Sequence, residues 1–329
     1  MTEPDKARVL IIDGMNMFIR AYMADPSVDS NGEHIGAVTG FIKMLQKYCR
    51  EVCPSLVFIA WDGAGGSKKR KELNPNYKSG RKPIRLNRNI ELPIDMENKM
   101  KYKQQMDLVD VLDLLPVYQI VLDDIEADDL IAYLCNKFIC EDYNKFIVSN
   151  DKDFLQLLDD CTFLFRPAEK DELYWHGLVV EKYGIHPNNF ALARSICGDS
   201  SDNIDGVAGA GLPTIAKRFP FLSNDEVHSL DQILDKCREM GTKYKVITAI
   251  LENESKIRDN YNIMQLYSPS LSYESTKELN RFVDETNLSF DKKQFELLLN
   301  KKGIFGLSLQ SLYSSMEDIV RNKLNVKRT

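Results

Sequence analysis

The sequence contains no Cys-x-x-Cys pair and only 4 histidines in 329 residues. Its 7 cysteines (49, 53, 135, 140, 161, 197 and 237) are odd in number, and Cys49 and Cys53 have no His or Cys partner at zinc-ligand spacing. A zinc finger and a disulfide framework are thereby excluded, and reduced thiols in a cytoplasmic protein are expected. Nothing approaches the roughly 18 consecutive apolar residues of a membrane span. The opening MTEPDKARV carries acids where a signal peptide carries an apolar core. Internal repeats and low-complexity tracts are also missing. The hydrophobic fraction of 43% is ordinary and suits one large or two modest domains with real cores.

An excess of positive charge is lacking too, since the chain carries a net −6. The distribution says more than the sum. Between Gly63 and Lys103 stand Lys68, Lys69, Arg70, Lys71, Lys78, Arg81, Lys82, Arg85, Arg88, Lys99, Lys101 and Lys103, opposed only by Glu72, Glu91, Asp95 and Glu97. That window carries +8 and the remainder −14. An acidic protein with one basic stretch can grip phosphates locally and stay soluble. Pro75, Pro83 and Pro93 interrupt the stretch, which reads as exposed loops and short helices.

Apolar runs ending in an acid recur along the chain. Arg8–Asp13 (RVLIID) and Leu56–Asp62 (LVFIAWD) are buried strands by composition, each closed by an aspartate. Lys145–Ser149 (KFIVS) leads into Asn150-Asp151-Lys152-Asp153, with a helix expected from Phe154. Tyr118–Leu122 and Thr162–Phe165 are shorter strands. Between them, Gly36–Val52 and Asp107–Leu115 carry apolar residues at helical spacing, and Glu126-Ala-Asp128-Asp129 opens a further helix. Strand and helix in alternation imply an α/β fold with a mostly parallel sheet, whose ligands sit beyond the carboxyl ends of its strands. One strand-terminal aspartate means little, because aspartate is a common turn and cap residue. Three such ends joined by Glu126, Asp128 and Asp129 crowd one rim with acids, which repel one another unless cations intervene.

The stretch Ile196–Ala216 (ICGDSSDNIDGVAGAGLPTIA) organises the second half. Asp199 and Asp202 stand three apart in a Ser-rich turn. Gly206, Gly209 and Gly211 then allow a hairpin with exposed backbone, suited to close approach by a phosphate chain. All-oxygen ligands suit Mg²⁺ or Mn²⁺, and two such ions bridged by carboxylates hydrolyse phosphodiesters.

The ordered motifs resemble the 5′ nuclease and flap endonuclease family. That family includes the 5′-3′ exonuclease domain of bacterial DNA polymerase I and stand-alone phage enzymes that remove RNA primers. The motifs are IIDGMNMFIRAY (11–22), AWDG (60–63), NYKSGRK (76–82), IEADDLIAYL (125–134), VSNDKDFLQLL (148–158), VVEKYGI (179–185) and GDSSDNI (198–204). They run in family order over about two-thirds of the chain. The resemblance implies metal ligation by Asp13, Asp62, Glu126, Asp128, Asp129, Asp151 and Asp153, joined by Asp199 and Asp202. It implies that Tyr77, Lys78 and Arg81 form the base of an arch over the active site, where Lys and Arg stabilise charge on the scissile phosphate. It further implies that Gly206–Gly211 is the hairpin of a helix-three-turn-helix motif, binding duplex backbone and a K⁺ ion. Lys68, Lys69 and Arg70 are expected to add DNA contacts.

Two positions depart from the usual hairpin pattern DNIPGVxGIGxKTA: Asp205 replaces its proline and Pro213 its lysine. A helix entering at Pro213 would present Lys217 one turn later, with Arg218 beside it, as substitute phosphate contacts.

The expected architecture is a nuclease core over 1–180, with its basic arch at about 63–105. A helical DNA-binding region follows over 181–329, with its motif at about 196–220. The basic tail from Arg321 reads as a solvated end. The expected activity is Mg²⁺-dependent cleavage at 5′ ends, flaps and single-strand/duplex junctions, on DNA or an RNA–DNA hybrid, in the replication of a phage or bacterium. A replication-fork protein such as a single-stranded DNA-binding protein is a further expected partner. Host cytoplasm is the expected location for a phage-encoded chain. The alternatives are a non-catalytic junction-binding protein and a small ribonuclease with the same acidic α/β (PIN-type) core.

Overall fold

A computed structural model of the chain describes residues 6–80, 85, 93–170, 172–269 and 271–321. Five parallel strands and one antiparallel edge strand form the central sheet, in the order β3-β2-β1-β4-β5-β6. These are β1 (Ala7–Asp13), β2 (Leu56–Trp61), β3 (Tyr118–Val121), β4 (Tyr143–Val148), β5 (Thr162–Arg166) and β6 (Glu172–Tyr174). The central strands β1, β2 and β4 are covered on both faces, which is why their centres read as apolar runs; in β4 the buried Lys145 ammonium donates to Cys135 O at 2.8 Å. Alternate residues serve opposite cores. Val9, Ile11, Phe58 and Ile147 face one side, and Leu10, Ile12, Ile59 and Val148 the other. The antiparallel β6 was not expected, since three residues carry too little pattern to stand out.

Helices α1 (Gly14–Ala24), α2 (Gly36–Val52) and α4 (Ile94–Leu112) cover the second face; α3 (Lys68–Leu73) is short and exposed. The expected helix at 107–115 is only the end of α4, which begins just after Pro93. Its first three turns hold the chain through polar side chains. Buried Gln104 accepts from the Ala37 N–H at 2.8 Å and lies 3.2 Å from His34 Nδ1. An apolar-periodicity reading cannot register such an anchor.

The first face is covered by α5 (Ala127–Tyr133), α6 (His176–Tyr183), α7 (Pro187–Cys197), α8 (Leu212–Arg218), α9 (Leu230–Met240), α10 (Lys245–Glu252), α11 (Glu254–Met264) and α12 (Tyr273–Glu285). A two-residue ribbon, β7 (Gly198–Asp199) with β8 (Ile204–Asp205), sits between α7 and α8. After Asp153 comes a single 3₁₀ turn, Asp153–Leu157, in place of the expected helix. The last helices, α13 (Lys292–Lys301) and α14 (Gln310–Arg321), return to the second face. There Phe295, Leu312 and Met316 join the α1–α2–α4 core, and Lys302 pairs with Asp107 and Asp110 of α4 at 2.6 and 2.7 Å. Both cores therefore draw on residues either side of 180. No described helix is long and apolar enough to cross a membrane.

Candidate metal and nucleic-acid site

Strand register brings the acids to one rim. Asp13 pairs with Ala60 of β2, and Ile12 with Val148 of β4, so Asp13, Asp62 and the 149–153 turn leave the sheet at the same end. Asp13 caps α1 by accepting from the Asn16 N–H at 3.0 Å. Its other oxygen accepts from the Ser149 hydroxyl at 2.8 Å. Asp62 accepts from the Ala127 N–H at 2.9 Å and so fixes the start of α5, with Glu126, Asp128 and Asp129 around it.

Gly63 makes that approach possible. A Cβ there would overlap the Leu122 carbonyl oxygen, and its N–H donates to Ile125 O at 2.9 Å. Gly63→Ala is expected to lower unfolding stability by about 1–3 kcal/mol, read as an earlier urea midpoint with an unchanged slope. An unaltered midpoint would show that the two loops part freely.

Electrostatics record the crowding. Burial first, then the charges of Asp151 and Asp62, push the Asp13 carboxyl up to about 7. Burial and the neighbouring Asp151 do the same to Asp153, also to about 7, and raise Asp128 well above the carboxylate range. Asp151 is raised by burial and then by Asp202 and Asp199, so the turn at 199–202 adds its charge to the same rim.

Cations answer part of this charge. Glu126 is buried and accepts from Arg70, from Lys78 Nζ at 2.7 Å and from the Tyr77 hydroxyl at 3.1 Å. Burial alone would raise its pKa, but Arg70 and Lys78 together hold it below the usual value. Arg70 also meets Asp129 at 2.8 Å. Arg194 of α7, which sequence reasoning missed, bridges Asp153 (Nε, 3.1 Å) and Asp199. A helical turn separates it from Gly198 and the acid beyond, and that spacing was the available signal. Ser149 was missed as well, although it directly precedes Asn150-Asp151.

Among the described residues no three His, Cys, Asp or Glu side chains converge closely enough to cage a metal ion as they stand. Several of the acids face Arg70, Lys78 or Arg194 instead. The donor set nevertheless suits a hard divalent cation. It is all oxygen, and the raised Asp13, Asp128, Asp151 and Asp153 carboxyls are those that positive charge would restore to the ionised form.

The predicted nucleic-acid residues separate into two groups. Lys68 and Lys69 are exposed, whereas Arg70 is mostly buried among acids and is no surface contact, which corrects its grouping with them. Burial of Arg70 follows from its position at the α3 turn facing Glu126, with Nε donating to Ile263 O at 3.0 Å. Tyr77 is buried, and Lys78, with φ +56°, donates its backbone N–H to Asp202 O at 2.9 Å. Arg81 lies outside the described residues.

In the hairpin, Gly206 is required by packing, since a Cβ would overlap the Cys197 carbonyl. Gly209 (φ +78°) and Gly211 are exposed. Lys217 is exposed on α8, in which Pro213 occupies the first turn. Arg218 instead stacks its guanidinium on the Tyr244 ring at 3.6 Å.

Residues 8–184 match the sequence model of a family described as 5′-3′ exonuclease, N-terminal resolvase-like domain. The chain belongs to this 5′-3′ exonuclease family. The family read from the ordered motifs is therefore the right one. Thermostable DNA polymerase I of Thermus aquaticus is 34% identical over 238 residues, 71% of this chain and 26% of that protein. The chain thus spans about a quarter of the length of such polymerase relatives. A 5′-3′ exonuclease of Aquifex aeolicus is 25% identical over 315 residues, 94% of this chain and 96% of that one. Among solved structures, the bacteriophage T5 flap endonuclease, in a pseudo-enzyme-product complex with DNA and metal ions, superposes with a TM-score of 0.63. It is 18% identical, with 96% of this chain and 98% of that chain covered. The exonuclease-family fold, a mostly parallel sheet with flanking helices, is common to both.

Proposed function

We propose that the protein is a metal-dependent, structure-selective 5′ nuclease. It hydrolyses phosphodiester bonds at 5′ ends and single-strand/duplex junctions, removing flaps or RNA primers in the DNA replication of a phage or bacterium. The observation that carries this reading is the rim of carboxylates formed by buried Asp13 and half-buried Asp128, Asp151 and Asp153, each raised by desolvation and charged neighbours. A non-catalytic junction binder gains nothing from such a rim facing phosphate.

Two Mg²⁺ ions, or Mn²⁺, held by these four residues with Asp62, Glu126, Asp199 and Asp202 around them, would supply an activated water and charge stabilisation at the leaving oxygen. Asp129 faces Arg70 and steadies it. Lys78 is pinned between Glu126 and the Asp202 carbonyl, so its ammonium is preorganised beside the acids for the scissile phosphate. Arg194 keeps Asp153 and Asp199 together. Lys68 and Lys69 on exposed α3 track the phosphate backbone, and recognition is by shape instead of base sequence.

The test is digestion of a 5′-labelled flap duplex and an RNA-primed duplex with Mg²⁺ and with EDTA. Cleavage only with Mg²⁺, next to the junction, is expected. Tight junction binding with no cleavage of either substrate would favour a non-catalytic junction protein.

Lys217 is assigned a duplex phosphate. Lys217→Ala is expected to weaken junction binding in Ca²⁺ and to flatten the log–log salt dependence by about one. Its single-turnover rate at saturating enzyme stays at the wild-type value. Equal salt slopes would return Lys217 to the solvated surface.

A further inference from the structure

Helix α11 lies fifty residues beyond the hairpin, in a region where the sequence shows no binding motif, yet it plants two side chains on hairpin backbone. Asn260, buried, donates through Nδ2 to Ser195 O at 2.9 Å and Asp205 O at 3.0 Å. Lys256, one turn earlier on the same face, donates from Nζ to Gly206 O at 3.2 Å. The buried amide fixes the helix against the hairpin, and that register lodges the ammonium. An ammonium has three donors. Among the described residues Lys256 has a single hydrogen-bond acceptor, the Gly206 carbonyl, and no acidic partner. Its neighbour Arg258, by contrast, is committed to Asp231 and Glu254.

We propose that Lys256 is the fixed cation of the hairpin, contacting a phosphate of the bound duplex and supplying covalently the charge expected there from K⁺. The proposal rests on the nuclease reading above. The Gly206 carbonyl already accepts from the Lys256 ammonium, so a K⁺ ion sharing that oxygen would sit beside a fixed positive charge that repels it. Lys256 also answers the departure at Asp205. That exposed carboxylate adds negative charge next to Gly206, and a cation bound at the Gly206 carbonyl offsets it before a phosphate arrives. A tethered charge acts at any potassium concentration, whereas a diffusible ion has to be bound first.

The experiment uses the full chain and a fluorescent 5′-flap duplex in Ca²⁺, with Kd measured in KCl and in NaCl at equal ionic strength. Wild type is expected to bind equally in the two salts, within about twofold. Lys256→Met should bind about tenfold more weakly and lose about one from the log–log salt slope. Lys256→Arg, which keeps the charge, should keep the slope and unfold at the same temperature as wild type. Wild-type binding several-fold tighter in KCl than in NaCl overturns the proposal. So does an unchanged slope in Lys256→Met, and in both cases the nuclease reading stands. Absence of junction binding by wild type overturns both together.

Discussion

Asp151→Asn combined with Asp153→Asn is expected to lower single-turnover cleavage at saturating Mg²⁺ by a factor of about 10³ or more, while junction binding in Ca²⁺ stays within about threefold. The two residues follow β4 directly onto the rim, and Asp151 acts on Asp13, Asp128 and Asp153 at once. Removing both takes away two of the four carboxyls that the rim raises. Near-wild-type turnover would remove them from the reaction.

The same variant should be more stable than wild type when metal-free. The Asp153 carboxyl titrates at about 7 in the fold, against 3.8 when unfolded. Its ionised form is thus disfavoured by folding, even with Arg194 attached. The penalty is absent below about pH 4, grows through the interval between the two values, and is complete above about 7. The urea midpoint of the variant should therefore exceed that of wild type at pH 8, by an amount equivalent to about 2–4 kcal/mol, and the gap should close on acidification. A gap that widened towards pH 5 would contradict the assignment of repulsion to these carboxyls.

Lys78→Ala is the second large effect, an expected loss of about 10²–10³ in the single-turnover rate with a much smaller change in Kd. Its removal leaves Glu126 held by Arg70 and Tyr77, so the fold survives. Charge reversal at Lys68 and Lys69 should do the opposite, weakening binding and sparing the rate at saturating enzyme. Arg70 does not belong in that comparison, because it lies inside the acid cluster. An unchanged rate for Lys78→Ala would make Lys78 a structural partner of Glu126 only.

What could be read from the sequence, and what could not, divides along physical lines. The parallel strands were legible because burial on both faces leaves their centres mostly apolar, and α2 because its apolar stripe runs from end to end. The rim acids were legible because a parallel sheet delivers its strand ends to one side. The first half of α4 was not, since Gln104 and Glu97 are among the residues it buries. Nor was the hold on Glu126, whose donors Arg70, Tyr77 and Lys78 come from a basic stretch 48–56 residues earlier that reads as an arch facing phosphate, with nothing in its pattern to mark an internal carboxylate partner. Lys256 and Asn260 stayed hidden for the same reason, as their partners are backbone carbonyls with no residue type to betray them.

Helix α11 has one more consequence. At its C-terminal end Ile263 takes the Arg70 hydrogen bond, and Ile263 and Met264 pack with Tyr77 and Ile204. Further back, Asn260 and Lys256 hold the hairpin. One rod of 11 residues, about 16 Å long, therefore joins the backbone clamp to the residues that set Glu126. For a nuclease built this way the helix is a ruler. In the proposed reaction this would keep the duplex grip and the acid rim at a fixed separation, a spacing set by the protein and independent of base sequence.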